Sequence, residues 1–271
     1  MEPPGDITSG GASVRFDRAA EFYDETRSHS EETARATTEL LATELSGRGR
    51  VLEVGVGTGL IALPLHGSGI PLAGLDISAP MVGRLVQKAG GSPPFPLVLG
   101  DATRLPFPDD EFGGVLVRWV LHLIPEWRAA VAEIVRVVRP GGVFVVSLGQ
   151  QGGPWDEVRA RFEELLGRSL RPVGLAWEAT EELDAELASH GGSLRLLPTI
   201  HDPSDEPVGV FLDAIERNCY SWTWPVPEEE RRRALEELGP WAEERFGPLD
   251  RPYRYDTEIV WRAYDLPRSS A

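Results

Sequence analysis

An apolar run, three glycines and the start of a helical pattern follow one another in residues 50–60, RVLEVGVGTGL. Apart from one glutamate, the run Val51–Val54 consists of valine and leucine, which is typical of a parallel strand buried on both faces. Glycines that follow a strand let the backbone approach a ligand closely, and the next helix begins with unpaired N–H groups. This order predicts the first strand, turn and helix of a nucleotide-binding α/β unit. The glycines occupy alternate positions, Gly55, Gly57 and Gly59.

The spacing of these glycines distinguishes between classes of nucleotide. A dinucleotide-binding turn has the pattern G-x-G-x-x-G, and Leu60 stands where its third glycine would be. The chain has G-x-G-x-G instead, with Glu53 two positions before the first glycine. At this point a glycine-rich strand-to-helix turn of some other α/β protein remains an alternative.

Composition and charge narrow the classes of protein further. A chain of 271 residues with 41% apolar residues suits one domain with insertions, or one domain with a small cap. The net charge of −16 argues against a nucleic-acid partner, since phosphates would be repelled. The one basic run, residues 231–233, lies among glutamates and is interpreted as a solvated helix face.

Cysteine content and hydropathy indicate the compartment. No run approaches the ~20 apolar residues of a membrane span, and no signal-peptide pattern opens the chain. The single cysteine, Cys219, excludes an internal disulfide and a cysteine-based zinc site. We therefore expect a cytoplasmic protein with no membrane partner and no metal.

An acidic residue ends the second predicted strand, Leu72–Asp76. Asp76 lies 21 residues beyond Gly55, close to the ~20-residue offset at which an acid meets a nucleotide ribose. A carboxylate only accepts hydrogen bonds and can take both ribose hydroxyl protons. Capping of the helix that begins near Ala79 is the alternative role, although Ser78 can supply that cap.

Further elements follow in the order expected of an α/β sheet. A third strand over residues 95–99 leads into Gly100-Asp101-Ala102, and a fourth covers residues 114–119. A helix over residues 125–137 ends in the turn R-P-G-G, and a fifth strand covers residues 143–148. The segment R-W-V-L-H-L, residues 118–123, follows the fourth strand, where ligands lie in open α/β sheets.

Four of these elements together resemble the class I S-adenosylmethionine (SAM) dependent methyltransferases, in the small-molecule group with a type 11-like domain. They are E-V-G-V-G-T-G, the acid at the end of the second strand, G-D-A and V-R-P-G-G. The resemblance covers residues 14–150 well and the remainder in outline. It implies a Rossmann-like, doubly wound, seven-stranded α/β sheet with its last strand antiparallel, together with a helical cap or lid. It also implies methyl transfer from SAM, with S-adenosylhomocysteine (SAH) as product.

The resemblance implies roles for particular residues. In residues 16–27, FDRAAEFYDETR, Tyr23 and Arg27 would bind the SAM carboxylate, although an ordinary packing helix remains an alternative. Asp101 would accept a hydrogen bond from the adenine amino group, and Ile77 and Met81 would flank the ring, with a core role open for Met81. The implied cofactor site comprises Tyr23, Arg27, Glu53, Gly55, Gly57, Gly59, Asp76, Ile77, Met81, Asp101, Ala102 and Arg118.

Candidate acceptor residues come from two regions. Trp119 and His122 follow the fourth strand, and His122 is the candidate general base because imidazole titrates near neutrality. The alternative places His122 in a helix interface with a satisfied hydrogen bond. Trp222 and Trp224 lie in a helical insertion that would form a lid, where they either line an apolar pocket or pack the lid.

The predicted organisation has four parts. Residues 1–13 form a disordered tail, residues 14–47 a helical cap, residues 48–150 the SAM-binding core, and residues 151–271 the remaining strands with an inserted lid. In the last part we expect helices over residues 155–166, 178–189, 208–219 and 228–246, and long strands over 193–201 and 253–265.

Three functions remain open at this stage. The first is methyl transfer to a small-molecule acceptor through O, N, S or C. The second is SAM binding without methyl transfer, and the third is nicotinamide-dependent oxidation, which Leu60 disfavours. The acceptor and the oligomeric state, monomer or homodimer, have no signature in the sequence.

Overall fold

The computed structural model describes residues 12–268, with only the backbone of Gln150 and Gln151. The predicted disordered tail therefore lies outside the described residues except for its last two positions. The chain divides into two compact units. The first contains the residues up to Gly149, Val173–Ile200 and the residues from Val260; the second contains Gln150–Pro172 and His201–Ile259.

Ten strands are present in residues 12–268. In chain order they are β1 (Val51–Val54), β2 (Leu72–Asp76), β3 (Leu97–Leu99), β4 (Phe112–Arg118), β5 (Val138–Ser147), β6 (Gln150–Gln151), β7 (Ser193–Leu196), β8 (Ile200–Ser204), β9 (Tyr255–Ile259) and β10 (Arg262–Asp265). Seven of them form one sheet in the order β3-β2-β1-β4-β5-β10-β7. The first five are parallel, and β10 runs antiparallel to both of its neighbours. The predicted seven-stranded sheet with an antiparallel last strand is confirmed.

Helices flank this sheet and build the second unit. They are α1 (Tyr23–Arg27), α2 (Glu31–Leu45), α3 (Ala62–Gly67), α4 (Ala79–Lys88), α5 (Trp127–Val137), α6 (Pro154–Leu166), α7 (Thr180–Ser189), α8 (Gly209–Glu216) and α9 (Glu228–Phe246). Serine side chains cap the N-termini of two helices. The Ser30 hydroxyl accepts from the Thr33 N–H at the start of α2, and the Ser78 hydroxyl accepts from the Met81 N–H at the start of α4.

The centre of the sheet is apolar on both faces, as parallel strands require. Every residue of β1 and β2 is buried, and so are the first six residues of β4. The largest cluster joins side chains of β1, β2, β4 and β5 to the inner face of α5, which buries Trp127, Val131 and Ile134. This packing holds the carboxyl ends of the central strands at fixed positions beside one another.

Two strands predicted to be long are each divided in two. The segment 193–201 contains β7 and the first residues of β8, and the segment 253–265 contains β9 and β10. Pro198 lies in the first gap, where its missing N–H cannot continue a ladder. Each pair of pieces contributes to two different sheets, since β8 and β9 belong with β6 to a three-stranded sheet.

Two shorter predictions also differ from the structure. The segment 16–27 is not one amphipathic helix: it forms a short 3₁₀ turn, Asp17–Ala19, and then α1. The R-P-G-G segment does not end before a separate strand. It lies within β5, where residues 139–142 bulge out of the register between the pairs Phe112–Val138 and Gly114–Val143.

The second unit has an aromatic core of its own. Trp155 and Phe162 on α6 lie within 5.7 Å, between ring centroids, of Trp222. Across residues 12–268 no helix is long and apolar enough to cross a membrane. The same part of the chain holds no group of three or more His, Cys, Asp or Glu side chains that could bind a metal ion.

The start of β4 depends on a glycine at position 113. A Cβ atom there would lie 1.5 Å from the Arg48 carbonyl oxygen, a backbone atom that cannot move aside cheaply. We expect Gly113→Ala to lower the free energy of unfolding by at least about 2 kcal/mol. Gly83→Ala, on the exposed side of α4 with nothing within 4 Å, should be neutral or stabilising by about 0.5–1 kcal/mol. Urea unfolding of both variants tests this, and equal stability would contradict the packing described here.

Candidate functional site

The strand order reverses beside β1, because the chain proceeds from β1 to β2 and β3 on one side and then to β4 on the other. Ligands of open α/β sheets bind in the crevice that such a reversal leaves at the carboxyl ends of the strands. A cavity of about 630 Å³, counted with the part open to solvent, lies there. It is lined by Ser13, Val14, Phe16, Tyr23, Val54, Gly55, Gly57, Leu75, Asp76, Ile77, Met81, Gly100, Asp101, Ala102, Arg118, Trp119, Val120, Leu123 and Ile124.

The three glycines after β1 all have positive φ, but their surroundings differ. A Cβ at Gly55 would lie 2.2 Å from Val120 Cγ2, so this glycine lets the turn pass against the end of β4. A Cβ at Gly59 would lie 2.9 Å from Leu63 and Leu85, which makes that glycine a packing requirement. At Gly57 the nearest atom would be the flexible end of Met81 at 3.4 Å, so its Cα faces free space in the cavity.

Asp76 ends β2 at the cavity wall and is only 9% exposed. Its Oδ2 accepts from the Gly57 N–H and its Oδ1 from the Ser78 N–H, both at 2.8 Å. Burial raises the pKa of Asp76 above its ordinary value, while the N–H donors, those of Ser78 and Gly57 first, oppose this rise. Each carboxylate oxygen keeps a second lone pair with which to accept from a ligand.

Asp101 lines the cavity beyond the end of β3. Its side chain accepts from the Thr103 N–H and from the Thr103 hydroxyl, both at 2.9 Å. The Ser13 hydroxyl also donates to it, at 3.1 Å to Oδ2. The carboxylate is therefore held in one orientation at the rim.

Much of the cavity lining is apolar. Leu75, Ile77, Met81 and Ala102 contribute to it, and Met81 is 3% exposed. Met81 thus lines the cavity and is also buried. Such a slot between two acceptor groups suits a flat ring that carries donors on its edge.

The N-terminal segment is held against the cavity by polar contacts. Asp24 accepts from the Thr58 hydroxyl of the glycine turn at 2.5 Å and pairs with Lys88 of α4 at 2.6 Å. The Val14 N–H donates to the Leu123 carbonyl at 2.9 Å. Phe16 and Tyr23 pack edge to face with their ring centroids 5.9 Å apart, and both line the cavity. Burial raises the pKa of Tyr23, so its phenol is protonated at neutral pH.

Arg118 and Trp119 form the cavity wall at the end of β4. The Arg118 guanidinium stacks on the Trp119 ring, 3.8 Å from its centroid, and donates to His29 Nε2. Trp119 has φ +56°, a conformation that bulky residues rarely adopt and that is found mostly where function requires it. Strain, stacking and position together make Trp119 a candidate functional residue.

Glu53 lies on β1, at the level of residues that precede Asp76 on β2 and Arg118 on β4 by two positions. It is 3% exposed and does not line the cavity. Burial raises its pKa to about 8; the positive charge of Arg118 opposes the rise and the negative charge of Asp76 adds to it. At neutral pH this carboxyl is therefore mostly protonated.

The structure does not bring every predicted site residue to the cavity. Arg27 lies outside its lining, with its guanidinium donating to the Thr26 carbonyl at 2.9 Å. His122 lies in a 3₁₀ turn outside the lining; its carbonyl accepts from the Gly174 N–H, and its ring is 5.3 Å from that of Trp177. Gly59 supports α3 and α4 rather than the cavity.

The two tryptophans predicted to contact the acceptor belong to the second unit. Trp222 is 7% exposed and stacks on Tyr220 at 5.8 Å between ring centroids. Trp224 is half-buried, and its indole N–H donates to the Asn218 carbonyl at 3.0 Å. Within their unit Trp222 packs in the interior, whereas Trp224 is held by this hydrogen bond.

Several lining residues were not predicted from the sequence. The chain passes around the cavity and brings to its lining Ser13, Phe16, Val120, Leu123 and Ile124. His29 lies outside the lining and accepts a hydrogen bond from Arg118. Phe16 and Val120 do lie in segments already assigned to the site, the same segments that contain Tyr23 and Trp119. Ser13 carries no local signal, because a serine in a Gly- and Ser-rich segment is typical of a loop.

Comparison with known proteins gives a consistent family. Residues 52–146 match a methyltransferase domain. A phosphatidylethanolamine N-methyltransferase of Cereibacter sphaeroides is 41% identical over 44% of this chain and 62% of that protein. A demethylmenaquinone methyltransferase of Mycolicibacterium vanbaalenii is 37% identical over 60% of this chain and 67% of that protein. The crystal structure of YcgJ from Bacillus subtilis superposes with a TM-score of 0.58 at 21% identity, over 87% of this chain and all of that one.

The chain therefore belongs to the class I SAM-dependent methyltransferases, and SAM is the cofactor that the family implies. It spans only 62% of the length of the Cereibacter relative. The similarity to YcgJ concerns the fold alone.

Gly57 offers a direct test of ligand approach. Because its Cα faces the cavity, we expect the extra methyl group of Gly57→Ala to lower SAM affinity at least tenfold, or about 1.4 kcal/mol. Gly47→Ala is the matched control: its φ of +73° imposes the same kind of backbone strain, a Cβ there would have nothing within 4 Å, and the residue does not line the cavity. Calorimetry should show normal SAM binding by the control. Normal binding by both variants would mean that the turn is structural only.

Asp76 should dominate the polar contacts to the nucleoside. Removing its charge with Asp76→Asn should weaken SAM binding by about 1.5–3 kcal/mol, the scale for a hydrogen bond to a charged group. Asp101→Asn should weaken it less, since the adenine amino group can partly hydrogen-bond to water instead. Asp110→Asn is the control, because this exposed residue has φ +60°, which asparagine tolerates. Unchanged SAM affinity in Asp76→Asn would remove the assignment.

Proposed function

We propose that this protein transfers the methyl group of SAM to a small-molecule acceptor. The observation that carries the proposal is the cavity at the strand reversal, which brings a glycine with an open Cα, two strand-end carboxylates and an apolar slot together.

The donors and acceptors of the cavity fit a nucleoside. Asp76 accepts from the ribose hydroxyls with the lone pairs that Gly57 and Ser78 leave available. Asp101 accepts from the adenine amino group, and Ile77, Met81 and Ala102 contact the faces of the ring. The absence of a side chain at Gly57 leaves the room that such a ligand needs at the turn.

At the other end of the cavity, Tyr23 and Arg118 suit the amino-acid part of the cofactor. Both line the cavity, and the fork of a guanidinium matches a carboxylate. Arg27 lies behind Tyr23, 6.0 Å from the centroid of its ring. Its role in our proposal is to support Tyr23 electrostatically, since a nearby positive charge lowers the pKa of that phenol.

Bound SAM supplies an electrophilic methyl group on a sulfonium. The protein contributes position, because in-line displacement needs the acceptor atom on the axis of the sulfur–methyl bond. Trp119, fixed by its backbone and by Arg118, is our candidate for the wall that orients the acceptor. His122 remains a candidate for acceptor contacts, and it would need to turn toward the cavity to act as a base.

The chemistry of the partners follows from charge and composition. A net charge of −16 supports a small molecule rather than a nucleic acid as acceptor. One cysteine permits no internal disulfide, which supports a cytoplasmic location as part of this proposal. The names of the two relatives supply two starting acceptors, phosphatidylethanolamine and demethylmenaquinone.

The test measures SAH formation in the presence of SAM and a panel of acceptors: the two named ones, phenols, amines and carboxylic acids. The proposal predicts SAH in proportion to one class of acceptor. Tight SAM binding with no SAH above the acceptor-free rate would favour a SAM-binding protein without transferase activity.

A variant of Trp119 separates cofactor binding from acceptor binding. Trp119→Phe should lower kcat/KM for the acceptor at least tenfold, about 1.4 kcal/mol, while SAM affinity changes little. Trp241→Phe, a half-buried residue of the second unit, is the control for loss of an indole. Equal losses of SAM affinity and turnover in Trp119→Phe would contradict an acceptor-side role.

A further inference from the structure

One oxygen of a buried carboxyl in the sheet has no hydrogen-bond donor. Glu53 is 3% exposed, and its Oε2 has no partner within residues 12–268. A buried carboxyl that lacks donors is unfavourable when ionised, and such a group takes a proton instead. The residue also belongs to the glycine motif of the cofactor site, although it does not line the cavity.

The register of the strands places Glu53 in a charged row. Glu53 lies opposite Gly74 of β2 and Leu116 of β4. Asp76 and Arg118 are each two residues further along those strands, so their side chains leave the same face of the sheet as that of Glu53. Both of them line the cavity.

The charges of this row balance only when Glu53 is neutral. The Asp76 carboxylate, which accepts from two backbone N–H groups, then offsets the Arg118 guanidinium, and Tyr23, which interacts with both, is an uncharged phenol. With burial raising the pKa of Glu53 to about 8, roughly nine carboxyls in ten are protonated at pH 7. An additional positive charge in the cavity would shift this balance toward the ionised form.

SAM and SAH differ by such a charge. The ammonium and carboxylate groups cancel in both, so SAM keeps the positive charge of its sulfonium, whereas SAH has a neutral thioether. We propose that Glu53 releases its proton to solvent when SAM binds and takes a proton back from solvent once SAH is left in the site. Glu53 then acts without touching the ligand: its negative charge when SAM is bound raises the affinity of the site for SAM relative to SAH. This inference rests on the proposed function, because it requires SAM in the cavity.

Calorimetry in two buffers of different ionisation enthalpy, phosphate and Tris, measures the protons released. At pH 7 we expect about 0.5–0.9 proton per SAM bound and close to none per SAH. SAM affinity should also rise with pH between 6 and 7.5, by up to about tenfold per unit, while SAH affinity changes little. Both measurements use the unmodified protein.

The variant Glu53→Gln keeps the shape of the side chain and removes the titration. It should release no proton with SAM, and its preference for SAM over SAH at pH 8 should fall several-fold. Glu32→Gln, an exposed residue in the first turn of α2, is the control and should behave as the parent.

A readout without ligand follows from the same linkage. The folded-state pKa of Glu53 lies above its unfolded value, so its protonation stabilises the fold below the unfolded pKa, and this stability is lost as pH rises toward 8. The melting temperature of Glu53→Gln relative to the parent should therefore increase from pH 5 to pH 8.5.

The outcomes separate this inference from the proposed function. Binding of SAM and SAH with equal proton release, or proton release that persists in Glu53→Gln, would overturn the role of Glu53 alone. Failure of both ligands to bind would overturn the proposed function and the inference with it.

Discussion

The site depends on the close approach of two backbone segments where the strand order reverses. The turn after β1 passes against the end of β4 so closely that a Cβ at Gly55 would lie 2.2 Å from Val120. Since β2 pairs with β1 on the other side, the carboxyl ends of three neighbouring strands open into one crevice. A larger residue at position 55 would force β4 and the turn apart and would displace Trp119 and Arg118 with them.

The two buried carboxyls beside this crevice, those of Asp76 and Glu53, differ in the hydrogen-bond donors that they receive. Asp76 receives two backbone N–H donors, which oppose the rise in its pKa that burial causes. Glu53 lies two residues before the strand ends, its Oε2 has no donor within residues 12–268, and its carboxyl remains mostly neutral. The difference follows from position: the turn beyond a strand end offers free N–H groups, whereas those within a parallel sheet are already paired to neighbouring strands.

Much of the first unit could be predicted because its signals are local. The bounds of β1 and β2 in the structure are those predicted from the pattern of apolar residues and glycines, and the strand-end acids Asp76 and Asp101 both reach the cavity. The seven-stranded topology followed from family resemblance rather than from periodicity. The helix α9 was also predicted with its observed bounds, since a long run of glutamates and arginines has few alternatives.

The features that were missed depend on distant parts of the chain. The division of the last long strand into β9 and β10 has no glycine or proline to mark it, and it arises because the two pieces pair with different strands. The contacts of Ser13 with Asp101, of His29 with Arg118 and of Asp24 with Thr58 join residues 34 or more positions apart. No spacing within the sequence indicates such contacts.

A crystal structure of the protein with SAH bound tests the central claim most directly. The account predicts electron density for the nucleoside in the crevice between β1 and β4, with the ribose hydroxyls within 3.2 Å of Asp76 and the adenine amino group near Asp101. Density for the nucleoside elsewhere, or a ribose that contacts neither carboxylate, would contradict it.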